Sequence, residues 1–141
     1  MPAPDDVLSV AAEWVEKAEH DLKAAAHLLG MGKDCPTDTV CFHAQQTAEK
    51  YLKACLVVSG TDFPKTHDVE ALAGFLPRAI PLDIALEDQR RLTAYATVTR
   101  YPGGYEAIPL AEARRALRVA RQVRRMIRKS LPRKVLRSRK R

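Results

Sequence analysis

Acidic residues are absent from position 113 onward in this 141-residue chain. All seventeen Asp and Glu lie in residues 1–112 with ten Lys and Arg, and residues 113–141 hold the other fourteen Lys and Arg. An acidic body therefore joins a strongly basic end, which the net charge of +7 conceals. That asymmetry excludes an evenly charged surface and points to an anionic partner or an acidic protein surface. Aromatics are scarce at 6%, and a core rich in Ala and Leu favours close-packed helices over a β-sandwich. No run of about eighteen apolar residues exists, so no segment reads as a membrane span. The opening MPAPDDVLSV carries acids where a secretory signal needs bases, so a cytoplasmic protein is expected. The three cysteines are odd in number, and no cysteine/histidine spacing resembles a zinc site. Phosphate-cradling glycine loops and paired carboxylates are missing too, so neither metal nor cofactor is expected.

What is present is helical spacing, and by length it belongs to one domain. The first helix is expected from about Val10 to Leu29, with Trp14, Ala18, Leu22, Ala25 and Leu29 as its apolar stripe. Gly30, Gly32 and Pro36 break it. A second helix is expected from Thr37 and Asp38, both good N-cap types, to just before Gly60. A short third helix runs from about Thr66 to Leu76, and a fourth from a cap at Asp83 to about Val98. Pro102, Gly103 and Gly104 force a turn. Pro109 suits the first turn of a fifth helix, which ends near Leu131 before Pro132. Short connections predict an all-α up-and-down bundle of four to five helices over residues 1–131. Residues 132–141, PRKVLRSRKR, form a basic tail too charged to fold by itself.

Two helices carry the candidate chemistry. In CFHAQQTAEKYLKACL, Cys41, Ala44, Ala48, Leu52 and Cys55 share a buried stripe, where the cysteines act as small hydrophobes. Gln45, Gln46, Glu49, Lys50 and Lys53 fall mostly on the other side, which periodicity alone reads as a solvated exterior. Glu49 and Lys53 stand in the favourable order for a helical ion pair. In the fifth helix, Leu110, Ala113, Leu117, Ala120, Val123, Ile127 and Leu131 line one face. Arg114, Arg118, Arg121, Arg125 and Arg128 line the other, flanked by Arg115 and Arg124. Such a row of planar donors suits phosphate oxygens, though it also suits acids on the body or on a second subunit. No aromatic residue interleaves the row, so base stacking is not expected there. Between the helices, Arg100, Tyr101 and Tyr105 sit in TRYPGGY, an exposed loop or a helix C-cap. The histidines His20, His27, His43 and His67 show no catalytic spacing from a Ser or Cys.

These segments together resemble the HEPN family (the higher eukaryote and prokaryote nucleotide-binding domain), in its Arg-Tyr-Pro group. The matching pieces are AEHDLKAAAHLL, FHAQQTAEKYLKACLVVSG, THDVEALAGFL, TRYPGGY and an Ala/Arg-rich last helix, over roughly residues 10–130. The resemblance implies a helical bundle that usually forms a homodimer and pairs with a small nucleotidyltransferase, often as a toxin–antitoxin couple. It also implies a nucleotide or RNA ligand. Many members look like metal-independent ribonucleases whose motif is an arginine followed by a histidine. Arg100 matches the arginine, while Tyr105 stands at the histidine position. An imidazole exchanges protons near neutrality, whereas a phenol, near pKa 10, stays protonated. The resemblance therefore implies a binding partner of the transferase, with Arg100, Tyr101, Gln46, Glu49, Lys50 and Lys53 at the ligand. The alternatives are a ribonuclease using Arg100 and Tyr105, with His43 or His20 as substitute base, and a non-catalytic helical adaptor.

Overall fold

Pro4 fixes the φ that a helix start needs, and Asp5 and Asp6 complement the positive helix end. The first helix therefore begins earlier than its apolar spacing suggests. In the computed structural model, which describes residues 4–97 and 106–137, α1 spans Asp5–Leu29. A 3-10 turn, Gly32–Asp34, leads to α2, Thr37–Val58. Two short helices follow, α3 (Val69–Gly74) and α4 (Leu86–Ala94). The long α5 (Leu110–Arg128) and the single-turn α6 (Arg133–Leu136) complete the order. No strand occurs among the described residues.

The helix ends follow local chemistry more closely than periodicity does. Pro36 occupies the N-cap of α2, so Thr37 and Asp38 lie in the first turn. Thr37 instead donates from Oγ1 to the Ile108 carbonyl at 2.7 Å, tying the starts of α2 and α5 together. Gly60, at φ 68°, closes α2 in a left-handed turn. The Thr61 N–H reaches the Leu56 carbonyl and the Gly60 N–H reaches Val57, satisfying two carbonyls of the last turn. α3 starts later than expected because Asp68 caps it, accepting the Ala71 N–H at 3.0 Å. α4 starts later as well: Ala85, not Asp83, is its cap residue.

α1 and α2 pack antiparallel, with Ala18 opposite Thr47 and Trp14 opposite Lys53. Ala11, Ala18, Ala25, Ala44 and Ala48 are all fully buried, and such small side chains let the helices approach closely. α5 runs parallel to α2, because Thr37 meets Ile108 at one end and Tyr51 meets Arg128 at the other. The short α3 and α4 return the chain to the end from which α2 started. α2 is thus packed by α1, α3, α4 and α5 together, and none of its residues is exposed. The apolar stripes of α2 and α5 hold: Cys41, Ala44, Ala48, Leu52 and Cys55, and Ala113, Leu117, Ala120, Val123 and Ile127, are buried. Each large apolar side chain buried there contributes roughly 1.5–3 kcal/mol. On α1 the stripe is shifted, with Ala11, Val15, Ala18 and Ala25 inside and Trp14, Leu22 and Leu29 half-buried. After Pro132 the chain gains its order from the body, since Val135 of α6 is buried against α1.

Candidate phosphate-binding surface and polar network

The polar side of α2 is not a solvated exterior. Gln45, Glu49 and Lys53 are 0%, 3% and 8% exposed: the segment before α3 meets Gln45 and Glu49 through His67, and Lys53 lies against Trp14 of α1. Glu49 sits at the centre of a network. It accepts from Lys53 Nζ at 2.9 Å and from Gln45 Nε2 at 3.0 Å, and His67 Nδ1 lies 2.8 Å away. Gln45 also donates to the His67 carbonyl, and Gln46 donates to the Gln45 side chain at 2.8 Å. Lys53 lies over the Trp14 ring at 5.3 Å. Burial alone would raise the Glu49 carboxyl pKa, but the bonds from Lys53, Gln45 and His67 outweigh it and hold it below the usual range.

A second network joins α2 to α1. Asp21, nearly buried, receives Lys50 Nζ at 2.6 Å and lies 2.7 Å from His43 Nδ1. A third joins α1, α2 and α5. Arg124 forks onto Glu19 through Nε at 2.6 Å and Nη2 at 3.1 Å. The Tyr51 hydroxyl donates to the same carboxylate and accepts from Arg128 Nη1 at 3.1 Å. Burial would raise the Glu19 pKa, but Arg124 and Tyr51 outweigh it and lower it. Burial and the Glu19 charge push the Tyr51 phenol up to about 12, so it remains a neutral donor.

The α5 arginines divide into two kinds. Arg115 and Arg124, at the flanks, are paired with Asp88 and Glu19. Arg114, Arg118, Arg121 and Arg125 are exposed, and among the described residues no carboxylate lies within ion-pair distance of them. Four of the five arginines of the expected row thus remain open, whereas the fifth, Arg128, is half-buried and donates to the Tyr51 hydroxyl. Beside it, Leu22, Arg121, Arg124, Arg125, Arg128 and Lys129 line a groove of about 430 Å³ between α1 and α5. Arg100, Tyr101 and Tyr105 lie outside the described residues. Of the remaining expected ligand residues, Gln46 and Lys50 are partly exposed, whereas Glu49 and Lys53 are turned into the body. Among the described residues no group of three or more His, Cys, Asp and Glu is placed to hold a metal ion.

The HEPN domain model matches residues 11–130, most of the chain. The chain is a HEPN-domain protein. Two solved structures share the fold over 86% of this HEPN chain and 98% of their own. The crystal structure of TT1696 from Thermus thermophilus is 31% identical with a TM-score of 0.71. That of ST0689, an archaeal HEPN homologue, is 23% identical with a TM-score of 0.67. No curated protein matches. Membership gives the HEPN chain a nucleotide- or RNA-related role. No helix among its described residues is long and apolar enough to cross a membrane.

Sequence reasoning missed Glu19, Asp21 and Tyr51, which organise two of the three networks. Their partners lie 22 to 105 residues away in sequence, so no local spacing marks them. The one available hint was that Asp21 interrupts the apolar repeat of α1 at a position that proves to be buried.

Proposed function

We propose that this HEPN chain binds nucleotide or RNA through phosphate contacts, as the partner of a small nucleotidyltransferase in a toxin–antitoxin-type pair. The observation that carries this reading is the row Arg114, Arg118, Arg121 and Arg125, which faces outward with no carboxylate partner among the described residues. Four unneutralised guanidinium groups on one helix face repel one another unless an anion meets them, and guanidinium geometry matches phosphate oxygens. In a homodimer, Arg100, Tyr101 and Tyr105 of both subunits would line a shared cleft near Gln46 and Lys50. Glu49 and Lys53 then act from beneath, by holding Gln45, Gln46 and His67 in place.

Fluorescence anisotropy with labelled single-stranded RNA tests the reading. Binding should weaken steeply between 50 and 200 mM salt, as counterion release requires. Salt-independent binding, or none at micromolar protein, removes it. Co-purification with the nucleotidyltransferase encoded beside the gene tests the partnership, and a transferase that elutes separately argues against it.

A second reading has one specific support. Asp21 holds Nδ1 of His43, which fixes the imidazole as a general base requires and leaves Nε2 for proton exchange. A metal-independent ribonuclease would combine that histidine with Arg100. RNA left intact in EDTA at high protein concentration retires this reading, while cleavage lost in both Arg100→Ala and His43→Asn supports it.

A further inference from the structure

The groove between α1 and α5 differs from the rest of the arginine row. It starts at Arg121, about 16 Å along the axis from the first residue of α5, towards the C-terminal end of the helix. Of the six described residues that line it, five are cations and the sixth is Leu22. The cations stand in two ranks. Arg121, Arg125 and Lys129 form an outer rank, about 12 Å long from first to last, with no acidic partner among the described residues. Arg124 and Arg128 form an inner rank, held from below by Glu19 and Tyr51. The Tyr51 hydroxyl therefore orients Arg128 before any ligand arrives, which lowers its ordering cost on binding, whereas the fork of Arg124 is already filled by the Glu19 carboxylate. No aromatic ring among the described residues lines the groove, so a base finds no stacking platform on them. A second cavity of about 500 Å³ shares Arg128 and runs past His20 and Lys23 towards Arg137, but Glu16 and Glu19 also line it, so the purely cationic lining belongs to the first groove.

We infer that this groove is a track for a chain of phosphates, not a pocket for a single nucleotide, and that Glu19 is its resident anion, occupying the fork of Arg124 in the place of a phosphate. The track reads backbone charge and ignores base identity. This deepens the RNA-binding reading above and rests on it. The shared chemistry is a linear run of phosphates, whether from an RNA strand or from inorganic polyphosphate.

The experiment compares competitors for a labelled single-stranded RNA on the full chain. The competitors are unlabelled RNA of unrelated sequence, inorganic polyphosphate of equal charge, ATP and poly-aspartate. RNA and polyphosphate should both displace the label, and their ratio at physiological salt identifies the source. ATP should compete at least tenfold less well. Arg121→Ser with Arg125→Ser should flatten the slope of log affinity against log salt by about 1.4, the value for two lost single-strand contacts. Glu19→Gln, which withdraws an anion from the fork, should tighten binding severalfold. Because Arg121 and Arg125 are exposed, melting temperatures matching wild type will show that the double variant is folded. Equal competition by ATP would overturn the track, and equal competition by poly-aspartate would make the groove a docking site for an acidic protein. Unchanged or weaker binding by Glu19→Gln would overturn the role given to that carboxylate. RNA binding that survives in the double variant but is lost in Arg114→Ser with Arg118→Ser would remove the groove and leave RNA binding intact. No RNA binding by wild type would remove both.

Discussion

α2 and α5 are both amphipathic helices with a charged stripe, yet their charges have opposite fates. On α2 the acid and base side chains face one another: Glu49 meets Lys53 and Gln45 inside the protein and also His67, and the partly exposed Lys50 meets Asp21. On α5 every charge after Glu112, which accepts from Tyr95, is positive; Arg114, Arg118, Arg121 and Arg125 face outward, and among the described residues only the flanking Arg115 and Arg124 find carboxylates. The difference lies in coverage. α2 is enclosed by four other helices, so every polar group it carries must be paired or pay for desolvation. α5 has one packed face, so its arginines remain hydrated at little cost and free to meet an anion. Charge on the enclosed helix serves structure, and charge on the open one is available for binding.

Mutations should break this comparison in a graded way. The largest effect is expected from Glu49→Ala, which leaves Lys53 and Gln45 buried without their acceptor. A loss of about 3 kcal/mol should appear as a lower urea midpoint, and a loss below 1 kcal/mol would mean that water reaches the network. Tyr51→Phe comes next. It removes the hydroxyl that links Glu19 to Arg128 and should cost about 1–2 kcal/mol in the same measurement. Arg118→Ala on the open face should leave the midpoint within about 0.5 kcal/mol of wild type while weakening RNA binding.

Acid sharpens the same contrast. The Glu19 and Glu49 carboxyls are held below their ordinary value in the folded chain. A group depressed on folding adds stability that is complete above the unfolded value, near 4.5, and is lost as pH falls through the folded value. Midpoints measured downward from pH 6 should therefore drop below about pH 4.5, and the drop should be shallower in Glu49→Gln. The smallest effect concerns the thiols. Burial pushes Cys41 up to about 12 and Cys55 to about 11. Neither should react with iodoacetamide at pH 8 until the chain is unfolded, and rapid labelling of native protein would contradict the packing.

Much of this was legible in the chain. The helix count among the long elements, the apolar faces of α2 and α5 and the open arginine row all follow from spacing, because each depends on residues three or four apart. The starts of α3 and α4 were less legible, since Asp68 and Ala85, not the first periodic residue, set them. The fate of Gln45, Glu49 and Lys53 could not be read at all. A helix with a polar stripe looks the same whether solvent or another segment covers it.

The sequence by itself determined the helical bundle, the acidic body with its basic end, and the row of unaccompanied arginines, since these are properties of composition and short-range period. The tertiary structure alone decided that α2 is central, that Glu49 and Lys53 are interior, and that Glu19 and Tyr51 brace Arg124 and Arg128 beside a groove. Those outcomes need groups brought together from distant parts of the chain, and which distant groups meet is fixed by how whole helices pack.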